Sequence, residues 1–94
     1  MLTVTESALD RMSRRLARKE AADGVALRFT RREGGWKLRL DQESAGDTAF
    51  TRDGRTVLVL DKAASEAMAN MTLGIGKRGD RSRFRLRRNE SSKD

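Results

Sequence analysis

Apolar residues recur along this chain with two different spacings, and the change from one to the other marks its elements. Leu2-Thr3-Val4 reads as a short first strand. Over Glu6 to Glu20, Leu9, Met12 and Leu16 fall at i, i+3 and i+7, with Ala8 and Ala17 beside them. That spacing puts one narrow apolar stripe on a helix. Thr5 or Thr3 serves as its N-cap, and Thr3 with Glu6 fits a capping box. Glu6 and Asp10 at one end and Arg18 and Lys19 at the other suit the helix dipole. Asp23-Gly24 is expected to end the helix.

The period then falls to two. Val25, Leu27 and Phe29 alternate with Ala26, Arg28 and Thr30, which predicts a strand buried on one face. Gly34-Gly35 makes a turn, and Trp36, Leu38 and Leu40 alternate with Lys37, Arg39 and Asp41 in a second strand. The two form an antiparallel hairpin. A polar loop, Asp41 to Asp47, leads to a short strand, Thr48 to Arg52. Asp53-Gly54 is a hairpin turn, because both residues tolerate positive φ. Thr56 to Leu60 is continuously apolar after its first residue and predicts a central strand covered on both faces. Asp61 caps a second helix whose stripe is Ala64, Met68 and Met71. Gly74, Gly76 and Gly79 are read as turns. In Arg81 to Arg88, Phe84 and Leu86 face the core while Arg83, Arg85 and Arg87 face water. Residues 1–88 are expected to form one domain of the α+β class, a mainly antiparallel, sandwich-like sheet core with two helices. Asn89 to Asp94 is expected to be a disordered polar tail.

Composition sharpens this picture. Leu, Ile, Val and Phe make up about 19% of the 94 residues, so the core is small. Cysteine and histidine are both absent, which removes disulfides, thiolate and imidazole chemistry, and the commonest transition-metal ligands. No cofactor is expected. Met1 to Asp10 contains no signal-peptide pattern, and no apolar run is long enough for a membrane span, so the expected compartment is the cytoplasm. The net charge is +7, with arginine supplying 16 of the 21 cations. Arginine favours bidentate contact with phosphate or carboxylate, although a GC-rich genome also raises its share.

Three features invite a functional reading. Gly74-Ile75-Gly76-Lys77 looks like part of a phosphate loop, but Met71 stands where its first glycine is needed and Arg78 where a Ser or Thr is needed. Arg11, Arg14, Arg15 and Arg18 make a basic stripe on the first helix, and Lys77, Arg78, Arg83, Arg85 and Arg87 make a second basic group. Each is either a solvated face or a contact surface for nucleic acid or an acidic partner. Nothing pairs a nucleophile with a base, so a binding protein is expected rather than an enzyme.

The order of elements resembles a known family, the A-type iron–sulfur carriers or HesB-like domain. Leu2 to Ala8 resembles that family's first strand and helix start. Leu27-Arg28-Phe29, a glycine turn and Trp36 to Leu40 resemble its first hairpin; Phe50 to Gly54 with Val57 to Asp61 resembles its next, and Ser65 to Leu73 its second helix. The resemblance implies the family's fold. The family holds its cluster with three cysteines, one in the first hairpin loop and two in a Cys-Gly-Cys near the C-terminus. The corresponding residues here are Glu33-Gly34-Gly35 and Asn89-Glu90-Ser91-Ser92, so no ligand carries over. Such a chain is expected to be a non-catalytic binding or adaptor protein, with a protein partner or a second copy of itself. The alternative is a basic nucleic-acid-binding module.

Overall fold

Thr5, rather than Thr3, starts the first helix. Its side chain accepts the backbone N–H of Ala8 at 3.2 Å, while Thr3 belongs to a two-residue strand, β1 (Thr3–Val4). Helix α1 (Glu6–Arg18) turns Ala8, Met12 and Leu16 inward, as the stripe predicts. It stops before Asp23-Gly24. The Glu20 N–H donates to Ala17 O and the Ala21 N–H to Leu16 O, each at 3.0 Å, with Glu20 at φ 52°. These two bonds make a Schellman motif, whose left-handed position favours glycine. Glu20→Gly is therefore expected to stabilise the fold by about 1 kcal/mol. A fall in the urea midpoint of that variant would contradict this account of the helix end.

A computed structural model of the chain describes residues 1–33 and 35–89, and of Arg78 the backbone only. Gly34, the Arg78 side chain and residues 90–94 of the expected tail lie outside that description. Asn89 donates its N–H to Asn70 O at 2.7 Å.

Strands β2 (Val25–Arg32) and β3 (Gly35–Gln42) form the expected antiparallel hairpin, with Leu27 opposite Leu40 and Phe29 opposite Leu38. β4 (Thr48–Arg52) and β5 (Arg55–Leu60) form the next, turning at Asp53 (φ 54°) and Gly54 (φ 80°). β5 also pairs in parallel with β2, so the sheet order is β3-β2-β5-β4. Val57, Leu58, Val59 and Leu60 are all at 0% exposure, as expected of a strand covered on both faces.

The second helix is shorter than its sequence stripe. α2 (Lys62–Ala67) is capped by Asp61, whose side chain accepts the Ala64 N–H at 2.8 Å. Met71, expected on that helix, instead begins a strand, β6 (Met71–Arg78). β6 pairs with β7 (Arg81–Arg88) antiparallel and with β1 in parallel, giving a second sheet, β1-β6-β7. Gly74 and Gly76 lie within β6 and make no turn; Gly79, at φ 64°, does. Leu73 from this sheet, Leu27, Phe29 and Leu58 from the other, and the stripe of α1 share one core.

Arg28 departs from the alternation. It is buried on the face of β2 away from Leu27 and Phe29, and it folds the polar loop over itself. Its Nε donates to Asp41 at 2.8 Å, and Nη1 and Nη2 donate to the two carboxylate oxygens of Asp47 at 3.1 and 2.6 Å. Nη2 also reaches Gln42 O at 3.0 Å. Asp47 in turn accepts the Ser44 N–H at 2.7 Å. These bonds close the connection between β3 and β4 into a fixed loop.

Candidate functional site

The two basic groups of the sequence meet at Phe84. Arg11, half-buried, donates from Nη1 to Ser82 Oγ and from Nη2 to the Ser82 carbonyl at 2.9 Å. Its guanidinium carbon stands 5.8 Å from the centre of the Phe84 ring, within cation–π range. Arg11 thus fastens α1 to β7. Around that contact Arg15 and Arg18 of α1, its C-cap Lys19 and Arg83 of β7 surround a hollow of about 420 Å³ with Phe84 in its wall. All four cations are exposed, and among the described residues none makes an ion pair. Clustered like charges raise a positive potential that draws anions. Arg14 is not part of this group. It turns to Asp10 at 3.6 Å in an exposed pair of little energetic weight.

The positive surface continues along β7. Arg83 and Phe84, with Gly76, Lys77 and Arg85, line a second hollow of about 340 Å³. Arg85 and Arg87 border a third, of about 290 Å³, with Thr5, Ser7, Thr72 and Gly74. Arg85 reaches these hollows by lying across Gly76, where an added Cβ would stand 2.9 Å from Arg85 Cδ. Gly76, whose register partner is Arg83, thus makes room for the diagonal arginine, Arg85.

On the other side of Phe84 the surface turns apolar. Phe29, Trp36 and Leu38 from one sheet face Leu73, Phe84 and Leu86 from the other across about 300 Å³, with Arg15 and Lys37 also lining it. Trp36 meets Phe29 edge to face, with ring centres 6.2 Å apart and planes at 78°. The Arg31 guanidinium lies 5.3 Å from the centre of the Trp36 ring. Arg15 and Phe84 border both this trough and the first basic hollow, so the two form one groove, apolar at one end and cationic at the other. A larger hollow of about 470 Å³ beside Glu66 and Arg88 is mixed in sign and gathers none of the residues singled out above.

Of the basic residues read from the sequence, the structure gathers Arg11, Arg15, Arg18, Lys77, Arg83, Arg85 and Arg87 around Phe84 or along β7. It leaves Arg14 aside, and the Arg78 side chain lies outside the described residues. Sequence reasoning missed Lys19 as a lining residue and missed the apolar half of the groove. For the latter the signal was present: Trp36 and Leu38 share a face with Phe29, on an outer strand none of whose residues is fully buried. No helix among the described residues is long and apolar enough to cross a membrane.

Comparison with protein-family models and with curated proteins returns no match. Solved structures do match. Escherichia coli SufA, involved in the biosynthesis of iron–sulfur clusters, superposes with a TM-score of 0.71 at 21% identity, covering 93% of this chain and 84% of that one. IscA, crystallised with a 2Fe–2S cluster, superposes with a TM-score of 0.60 at 18% identity, covering 98% and 88%. Clusters of that kind are held by thiolates. This chain has no cysteine, its first hairpin offers Glu33 and Gly35 near the turn, and no three potential metal ligands converge among the described residues. The donor set does not fit a cluster. What the chain shares with SufA and IscA is their fold, that of the A-type iron–sulfur carriers its order of elements resembles.

Proposed function

We propose that this chain is a non-catalytic binding protein built on the carrier fold, and that its ligand is an acidic protein segment. The observation that carries this reading is the groove at Phe84, where exposed cations from α1 and β7 border an apolar trough between the two sheets. Carboxylates answer the cations, and apolar side chains answer Trp36, Leu38 and Leu86. A nucleic acid satisfies only the first half. Phe84, the aromatic at the centre, already carries Arg11 on its ring and offers no free stacking platform. A second copy of the chain is disfavoured on this face, because each copy brings a charge of +7. Cytoplasmic residence goes with this reading, since nothing in it requires an oxidising compartment.

The test is fluorescence anisotropy with a labelled peptide of glutamate and leucine and, separately, a labelled DNA duplex. The peptide is expected to bind. Replacing Arg15 and Arg18 together by alanine should weaken it about tenfold, the sum of two partly screened ion pairs. Arg14→Ala should change nothing measurable, since Arg14 is turned away. The reading fails if the peptide does not bind. It also fails if the duplex binds more tightly than the peptide and loses about a hundredfold or more between roughly 50 and 200 mM salt, the signature of phosphate contacts.

A further inference from the structure

β7 is an outer strand. β6 occupies one of its edges, and among the described residues no strand occupies the other. An open edge presents unpaired backbone N–H and C=O groups and invites another strand. Proteins usually blunt such edges with proline, a bulge or charge. β7 has no proline, and its register with β6 runs without a bulge from Arg81 to Arg88. Charge guards it, since Arg81, Arg83, Arg85, Arg87 and Arg88 are all exposed, and at one end the Arg11 side chain already bonds the Ser82 carbonyl, so the stretch open to a new strand runs from Phe84 to Arg88.

We infer that the acidic ligand is an extended segment that adds to the three-stranded sheet along the free edge of β7. This rests on the reading proposed above and specifies how the ligand is held. The arginines that repel a second copy of this chain would attract an acidic strand, so one feature excludes the wrong partner and admits the right one. The alternation of β7 then dictates the ligand's sequence. Ser82, Phe84 and Leu86 are half-buried on one face, and Arg83, Arg85 and Arg87 are exposed on the other. A strand laid alongside alternates in the same way. One set of its side chains lies beside Phe84 and Leu86, over the trough that Trp36 and Leu38 close from the other sheet. The other set lies beside Arg85 and Arg87. The matching segment therefore alternates acidic and apolar residues along Phe84 to Arg88, beyond the Ser82 carbonyl that Arg11 already holds.

Backbone pairing separates this mode from simple charge attraction, and N-methylation of the peptide tests it. Four ten-residue peptides of one amino-acid composition are compared on the intact protein: alternating Glu and Leu, the same residues scrambled, and the alternating sequence N-methylated at every second residue in each of the two registers. The alternating peptide is expected to bind best. One N-methylated register should lose about tenfold or more, since several edge hydrogen bonds vanish while charge and side chains stay. The other register, whose N–H groups face solvent, should bind like the parent. Amide exchange should slow along β7 on binding and stay unchanged along β3. If the scrambled and both methylated peptides bind as tightly as the parent, or if β3 is protected instead of β7, strand addition at β7 is wrong while the acidic-ligand reading stands. If no peptide binds, both fall.

Discussion

Truncating Leu58 to alanine is expected to remove about 3–4 kcal/mol of stability, a large part of what a chain of this size possesses. Leu58 is at 0% exposure in the middle of β5, opposite Phe50 on one side and Leu27 on the other. Both sheet neighbours are fixed by backbone pairing, so the space left by the side chain cannot close by a simple shift. Leucine-to-alanine changes at such sites cost about 2–5 kcal/mol, the upper values where relaxation is small. Total stability scales to about 5–14 kcal/mol for a domain of this length. The melting temperature should fall by roughly 12–30 °C, at about 4–8 °C per kcal/mol. Leu40→Ala is the control. Leu40 pairs with Leu27 on the same face yet is 46% exposed at the outer strand, and its truncation should stay within about 0.5 kcal/mol. Thermal unfolding followed by circular dichroism checks both. Comparable losses in the two variants would mean that the core is not centred on β5.

The reason Leu58 could be picked from the sequence is that Val57 to Leu60 allows little else. A short, unbroken apolar run after a hairpin turn has no wet side, so a doubly covered strand is the economical reading. The region after α2 was less legible. Met71 continues the helical stripe of Ala64 and Met68, and glycines next to it look like turns. The strand prevails because Leu73 and Ile75 face the core at period two, and Gly74 and Gly76 leave space for Thr5 and Arg85 above them. A glycine that makes way for a neighbour on another element leaves no local trace. Arg28 shows the same limit. Alternation assigns it to water, and it would be wet if the following loop did not fold back with two aspartates over it.

The groove was half legible. The stripe on α1 and the alternating arginines of β7 are each plain in the sequence, and so is the inward turn of Phe84. Their meeting is not, because it depends on where α1 crosses the edge of the three-stranded sheet. That crossing also separates Arg15, which lines the groove, from its neighbour Arg14, which the helix turns toward Asp10. The fold was legible for a different reason. Order of elements survives changes that erase individual motifs, so a chain only 21% identical to SufA and without any cysteine still has its architecture.

Asp47→Asn is the second change expected to have a large effect, and its signature is a dependence on pH. The Asp47 side chain is only 4% exposed and that of Arg28 11%, so removing the charge leaves a nearly buried guanidinium without its main partner. Breaking such a pair costs about 3 kcal/mol or more. Arg28 holds the Asp47 carboxyl below its ordinary 3.8, first through their hydrogen bonds, and the Ser44 N–H adds to this while burial opposes it. The folded protein therefore binds this proton less readily than the unfolded chain. Its contribution to stability is complete above the ordinary carboxylate value and is lost as pH falls through the lowered one. Urea midpoints of the parent protein should be level in this respect near neutrality and decline below about pH 4, whereas Asp47→Asn should begin lower and decline less. Adding Arg28→Met to Asp47→Asn should restore at least about 1 kcal/mol, because it removes the stranded charge. Asp41, more than half exposed, contributes too little to compensate. If Asp47→Asn costs under about 0.5 kcal/mol and leaves the acid limb of the profile unchanged, solvent screens the pair and the loop is closed by its backbone alone.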